Sequence, residues 1–106
     1  MDSTTQRYLK GAFDEMKACS GFEQGSFQEM TVVLMPPIFP CPHYAEGCSG
    51  EYIAPTSIKV GSLAVWNHEV LHYLLYLNTG SADPGHQNPL FDACTPGAHQ
   101  AKPLAF

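Results

Sequence analysis

Two histidines four residues apart are the residues of this chain whose types and spacing most clearly suggest chemistry. The run H-E-V-L-H begins at His68 and ends at His72. On an α-helix, positions i and i+4 lie on the same face, so both imidazoles can reach one metal ion. Glu69, one step around the helix, can flank that ion without binding it. The pattern predicts a zinc hydrolase site, in which the carboxylate acts on a metal-activated water. The alternative is a pair of surface histidines on an ordinary amphipathic helix.

The element that must position these side chains is a helix predicted over residues 63–77. Ser62 can cap its start, and the segment 78–80 (N-T-G) can end it in a left-handed conformation. The helix is apolar on most faces, which is typical of a helix buried in a core. Three ionisable groups in such surroundings, His68, Glu69 and His72, need partners, and a bound dication would supply one.

A third histidine follows the helix after a loop rich in Pro, Gly and Asn. His86 lies 14 residues beyond His72, which is enough chain to turn and return a side chain to the ion. Catalytic zinc takes three protein ligands and a water, and we predict His86 as the third ligand. Asp83 is the alternative, either as a ligand or as a carboxylate that orients a ligand histidine. We expect His43 to be a loop residue and His99 a surface residue rather than ligands.

The 106 residues are predicted to form one domain, residues 1–106. A net charge of −5 argues against nucleic acid or an anionic membrane as partner, since both favour a basic surface. No apolar run is long enough to span a membrane. The polar N-terminus contains no secretory leader, and Met1 is interpreted as a start that replaces a removed one.

Four cysteines in a short, loop-rich chain indicate two disulfides and an oxidising compartment. The favoured pairs are Cys41–Cys48, which closes a short Pro/Gly-rich loop, and Cys19–Cys94, which ties the first helix to the tail. We therefore expect a secreted or cell-envelope protein. The alternative is free buried thiols in a cytosolic protein.

The remaining elements predict an α+β fold. A first helix is expected over residues 4–18, with Ser3 or Thr4 as its cap and one apolar stripe, formed by Tyr8, Leu9, Ala12, Phe13 and Met16. Residues 27–35 form the clearest strand, expected within the sheet. Residues 51–54 predict a short edge strand, which could hold an extended peptide or could simply be an edge. Residues 56–60 are expected to lead into the second helix, and the chain from residue 81 onward is expected to be loop.

The run H-E-V-L-H-Y-L-L-Y-L-N-T-G-S-A-D-P-G-H-Q-N-P-L-F, followed by a Cys, resembles the zincin metallopeptidases. More narrowly, it is similar to small secreted bacterial zincin-like proteins, over roughly Ala54 to Cys94. The resemblance implies a minimal zincin-like domain: a backing helix, a small mixed sheet with an antiparallel edge strand over the cleft, a buried active-site helix beneath, and a loop-rich C-terminus.

The sequence departs from the two best-defined zincin patterns. Where metzincins have a glycine and a third histidine, this chain has Leu75 and Asn78. Gluzincins take a glutamate ligand from a later helix, and no helix is predicted here after the one over residues 63–77. The chain is also shorter than most peptidases of the group, and it has little sequence from which to form the usual substrate pockets.

The resemblance implies a zinc-dependent peptidase acting on a peptide or protein substrate. His68, His72 and His86 would hold Zn²⁺, and Glu69 would be general base and then acid. Tyr73, Tyr76 or Tyr52 could stabilise the oxyanion. The alternative is a non-catalytic zinc-binding or protein-interaction module, for which a metal would stabilise a small fold. A third interpretation, a cytosolic metal-dependent hydrolase of other substrates, would require reduced cysteines.

Overall fold

The computed structural model describes residues 1–95 and residue 106. Within that part of the chain it is a small mixed α+β domain with three α-helices and a three-stranded sheet, which agrees with the predicted fold class. The elements are α1 (Ser3–Ser20), β1 (Thr31–Leu34), β2 (Gly50–Ile53), β3 (Ser57–Val60), α2 (Trp66–Thr79) and α3 (Leu90–Cys94), with single 3₁₀ turns at Phe27–Glu29 and Leu63–Val65.

Helix α1 confirms the predicted first helix and extends it by one residue at the start and two at the end. Its cap is Asp2, whose carboxylate accepts a hydrogen bond from the Thr5 amide over 2.7 Å, rather than Ser3 or Thr4. Gly21 ends it in the left-handed conformation that glycine adopts without steric cost. The apolar stripe buries Leu9, Phe13 and Met16. Tyr8, assigned to the same stripe, is instead 53% exposed, because it lies at the margin of the buried face.

The sheet has the order β1-β3-β2, with β1 parallel and β2 antiparallel to β3. Two expectations were wrong. The strand predicted over residues 27–35 is present as β1, but it is shorter than predicted, lies at an edge of the sheet instead of within it, and is mostly exposed. The segment 56–60, expected only to lead into a helix, contains the central strand, with Ile58 and Val60 in the core. A strand of four residues is too short to show a reliable alternation of apolar and polar side chains in the sequence. The predicted edge strand over residues 51–54 is confirmed as β2.

Helix α2 packs against β2 and β3 and forms the centre of the core. Nine of its residues are buried, from Trp66 to Leu75. The Trp66 indole donates a hydrogen bond to the Leu9 carbonyl over 3.0 Å, which ties α2 to α1. Ser62 caps the 3₁₀ turn that precedes α2, with its hydroxyl accepting from the Ala64 amide. The expected helix thus begins as a 3₁₀ turn and continues to Thr79.

Both expected disulfides are present, Cys19–Cys94 and Cys41–Cys48. They are consistent with an extracellular protein. The first joins the end of α1 to α3, a helix of one turn that the sequence analysis placed in a loop. Because this helix has only five residues and follows Pro89, the sequence shows no apolar periodicity that would predict it. Among the described residues, no helix is both long enough and apolar enough to cross a membrane.

Candidate metal centre

Three imidazole nitrogens converge between α2 and the loop that follows it. The Nε2 atom of His72 lies 3.2 Å from that of His68 and 3.0 Å from that of His86, and the last two are 3.1 Å apart. The rings of His68 and His72 are buried, and His86 is partly exposed. The structure therefore brings together the three histidines predicted as ligands. Among the described residues they are the one group of three or more potential ligands with this geometry.

The geometry of the three nitrogens fits a metal ion. Ligand nitrogens about 2.0–2.1 Å from a tetrahedral ion lie about 3.3–3.4 Å from one another, close to the spacing observed here. A hydrogen bond joins only two imidazole nitrogens, whereas all three are mutually within 3.0–3.2 Å. One cation would satisfy all three lone pairs at once. Three imidazoles suit zinc and also cobalt, nickel or copper.

The protonation of His72 is set by the loop. Its Nδ1 lies 2.6 Å from the Ala82 carbonyl oxygen, which can only accept, so Nδ1 carries the proton and donates. In neutral His72 the Nε2 lone pair is then free to face the other two histidines. Burial, the largest effect, lowers the pKa of His72 to about 4, so the ring is neutral at physiological pH. A backbone carbonyl behind a ligand histidine is the usual second contact in protein metal sites.

The loop after α2 returns His86 to the helix by tight backbone turns. Gly80 ends α2 with φ of 85°, and Asp83 and His86 have φ of 58° and 56°. Asp and His enter this left-handed region more readily than most residues. The His86 amide donates to the Asp83 carbonyl over 3.0 Å, and the Asn88 amide donates to the Asp83 carboxylate over 2.7 Å.

Asp83 therefore organises the backbone that carries His86. Asp83 was predicted as the alternative to His86 as third ligand, but it does not belong to the group of three converging side chains. Its charge nevertheless raises the pKa of His72 slightly against the effect of burial, so it lies close to the site.

Phe91 forms an apolar wall behind the three imidazoles. Its ring centroid lies 5.1 Å from that of His68, 4.9 Å from that of His72 and 5.1 Å from that of His86. Phe91 is fully buried on α3, which the disulfide of Cys94 fastens to α1. The sequence analysis missed this residue, because a single aromatic residue in a Pro-rich segment has no periodic pattern that would reveal it.

Glu69 is fully buried beneath the edge strand β2. A Cβ added to Gly50 would lie 2.9 Å from Glu69 Oε2 and 2.6 Å from Val65 Cγ2, so only glycine allows β2 and α2 to approach this closely. Neither carboxylate oxygen has a hydrogen-bond partner among the described residues. Burial raises the pKa of Glu69 well above its ordinary value. The nearby backbone amides of Phe106 and Tyr52 lower it by less than burial raises it.

A cavity of about 220 Å³ reaches the site from the side of β2. It is lined by Tyr52, Ala54, His72, Ala82, Pro84 and Phe106. Two of the tyrosines considered as oxyanion donors use their hydroxyls elsewhere. Tyr52 donates to the Pro55 carbonyl over 2.7 Å, and the Tyr73 hydroxyl is held by the backbone of Ser26. Tyr76 is more than one-third exposed at the end of α2.

His43 lies apart from the three-histidine group, as expected. Its Nε2 is 2.9 Å from the Glu51 carboxylate on β2, and its ring stacks on Phe106. No sequence pattern indicates that Phe106 returns to β2. His99 lies outside the described residues.

No protein-family model matches this chain, and none of the curated proteins or solved structures compared with it matches either.

Proposed function

We propose that the protein is a zinc-dependent peptidase, in which His68, His72 and His86 hold the metal and Glu69 is the general base. The observation that carries the proposal is the set of three imidazole Nε2 atoms, each 3.0–3.2 Å from the other two, with a buried carboxylate on the same helix. The resemblance of the sequence around these residues to zincins supports the same conclusion.

The three ligands come from two elements, and this arrangement suits an open site. His68 and His72 project from α2, while His86 comes from the loop and is partly exposed. Three protein ligands leave a position for water or substrate. Zinc bound there would supply a Lewis acid that polarises a carbonyl and makes water acidic near neutral pH.

Glu69 has the properties expected of a general base. Burial raises the pKa of its carboxyl group, which brings its proton affinity closer to what proton transfer at neutral pH requires. It would accept a proton from the attacking water and later give one to the leaving amine. A structural metal site needs no such carboxylate beside its ligands.

The edge strand β2 supports a peptide as substrate. It pairs with β3 on one side, and its other side, next to the cavity that reaches His72, is paired only with the backbone of Phe106 among the described residues. An extended peptide could add to that edge through main-chain hydrogen bonds.

A non-catalytic zinc-binding module is the second candidate, and one observation favours it. The side chain of Glu69 is 0% exposed, so water and substrate do not reach it in the described conformation. In that case the metal would only stabilise a small domain.

Metal content and peptide cleavage, measured on the same preparations, test the proposal. We expect one zinc per chain in the wild type and in Glu69→Gln, with cleavage of a mixed peptide library by the wild type alone. Zinc binding without cleavage of any peptide would favour the non-catalytic module. A folded wild-type protein that binds no metal would exclude both candidates.

A further inference from the structure

Phe106 pairs with the free edge of β2 as a strand residue would. Its amide donates to the Gly50 carbonyl over 3.0 Å, and its carbonyl accepts from the Tyr52 amide over 2.9 Å. One residue that bonds to two residues flanking Glu51 makes the slanted pattern of a parallel pair. The edge strand thus holds a residue of this same chain through main-chain bonds, which do not depend on its side chain.

The side chain of Phe106 is held by separate contacts. Its ring lies face to face with the imidazole of His43, with a centroid distance of 3.5 Å and an interplanar angle of 5°. The Tyr44 ring meets it edge-on at 6.5 Å. The contact between His43 Nε2 and the Glu51 carboxylate, at 2.9 Å, holds the imidazole in place. These groups form a recess that fits a flat aromatic ring better than an aliphatic side chain.

We propose that the β2 edge and the His43–Tyr44 recess form a binding site for an aromatic residue of an extended peptide, and that Phe106 fills this site as a ligand built into the chain. Strand addition supplies affinity, and the recess supplies selectivity for an aromatic side chain. Any peptide that uses the site must displace Phe106.

The position of Phe106 links this site to the candidate metal centre. Phe106 lines the cavity that also reaches His72, and it bonds to Gly50, whose backbone packs directly against Glu69. Departure of Phe106 would open a path to Glu69, which is fully buried in the described conformation. This link rests on the proposed function, whereas the aromatic-residue site itself does not.

Binding of a labelled peptide to the full chain tests the inference. The probes are fluorescein-labelled Ala-Ala-Phe-Ala-amide and the same peptide with Leu or Ala in place of Phe. Phe106→Ala should bind the Phe peptide at least about tenfold tighter than the wild type, because the ring that competes for the recess at millimolar effective concentration is removed and only the main-chain bonds of residue 106 remain to be displaced. Tyr8→Ala, which removes an exposed ring on α1, is the matched control and should bind as the wild type does.

A second comparison tests the recess. In the Phe106→Ala background, the Phe peptide should bind about three- to tenfold tighter than the Leu peptide, and His43→Ala should abolish that difference. Equal binding of all three peptides, or no gain from Phe106→Ala, would overturn the inference. If Phe106→Ala does not fold, the wild type with excess Phe peptide serves instead. The amide resonance of Tyr52 should then shift, and an unshifted Tyr52 under saturating peptide would likewise reject the site.

Each measurement is made with zinc and with EDTA, and mass spectrometry confirms that the peptide stays intact. Aromatic-selective binding in EDTA would uphold this site even if the protein binds no zinc and cleaves nothing. Cleavage without aromatic selectivity would uphold the peptidase and reject this site.

Discussion

The ring centroid of Phe91 lies 4.9 Å from that of His72, and the ring makes similar contacts with both other candidate ligands. This residue joins the core to the site, because it is fully buried and belongs to the short helix α3. Its packing fixes the orientation of imidazoles that must aim at one point.

Replacement of Phe91 should therefore affect stability and metal affinity together. Phe91→Ala should lower the free energy of unfolding by about 3–5 kcal/mol, the usual cost of a large cavity, and should weaken zinc binding. Phe91→Leu should have smaller effects on both. Urea unfolding and a zinc competition assay provide the two measurements.

The control is Phe39→Ala, since Phe39 is also buried but makes no ring contact with the three histidines. It should lower stability and leave zinc affinity unchanged. If the two alanine variants weaken zinc binding equally, Phe91 has no special part in the site.

The two disulfides should differ in their contribution. The Cys19–Cys94 bond closes a much longer loop than Cys41–Cys48, with sequence separations of 75 and 7. In the chain-entropy model these bonds contribute about 4.5 and about 2.5 kcal/mol. The double Ser variant of the first pair should lose more stability and also zinc affinity, because α3 carries Phe91. Equal losses of both quantities in the two double variants would argue against this role of α3.

The buried carboxyl group of Glu69 predicts a pH-dependent stability difference. Its pKa is raised in the folded protein, so its contribution to stability is fully present below its unfolded pKa of about 4.5 and is lost as the pH rises towards the folded pKa. Glu69→Gln has no such group. In EDTA, the variant should gain stability relative to the wild type as the pH rises from 4.5 to 8. Urea unfolding at a series of pH values measures this. A difference in the free energy of unfolding that stays constant with pH would contradict the raised pKa of Glu69.

The third ligand can be distinguished from its alternative by single substitutions. His86→Ala should weaken zinc binding by at least about a hundredfold, more than loss of a supporting residue usually does. Asp83→Asn retains an oxygen that can accept from the Asn88 amide and should weaken zinc binding by less than about tenfold. Isothermal titration calorimetry with zinc measures the zinc affinity of both variants. A larger effect for Asp83→Asn would make Asp83 the ligand.

The sequence predicted the parts of the fold that depend on local pattern. Both long helices have an apolar stripe and recognisable ends, and the i, i+4 spacing of His68 and His72 follows directly from helix geometry. The position of His86 could be predicted because the loop is long enough to return. The disulfide pairs followed from loop lengths and from the expected position of the first helix.

Other features depend on contacts between distant residues and leave little trace in the sequence. β3 is central only because β1 and β2 both pair with it, and its four residues alone do not reveal this. The hydrogen bond from His72 to Ala82 uses a backbone carbonyl, which any residue could supply. Phe106 reaches β2 from more than fifty residues away, through main-chain bonds that no side-chain pattern predicts.

The central claim is that His68, His72 and His86 bind one zinc ion, and the coordination of zinc in the full chain tests it most directly. X-ray absorption of the zinc-loaded protein, with the metal content determined on the same sample, reports both stoichiometry and ligands. We predict one zinc per chain with three imidazole nitrogens at about 2.0–2.1 Å, reduced to two nitrogens in His86→Ala. A folded wild-type protein that retains no zinc, or a zinc ion with fewer than three imidazole ligands, would contradict the account.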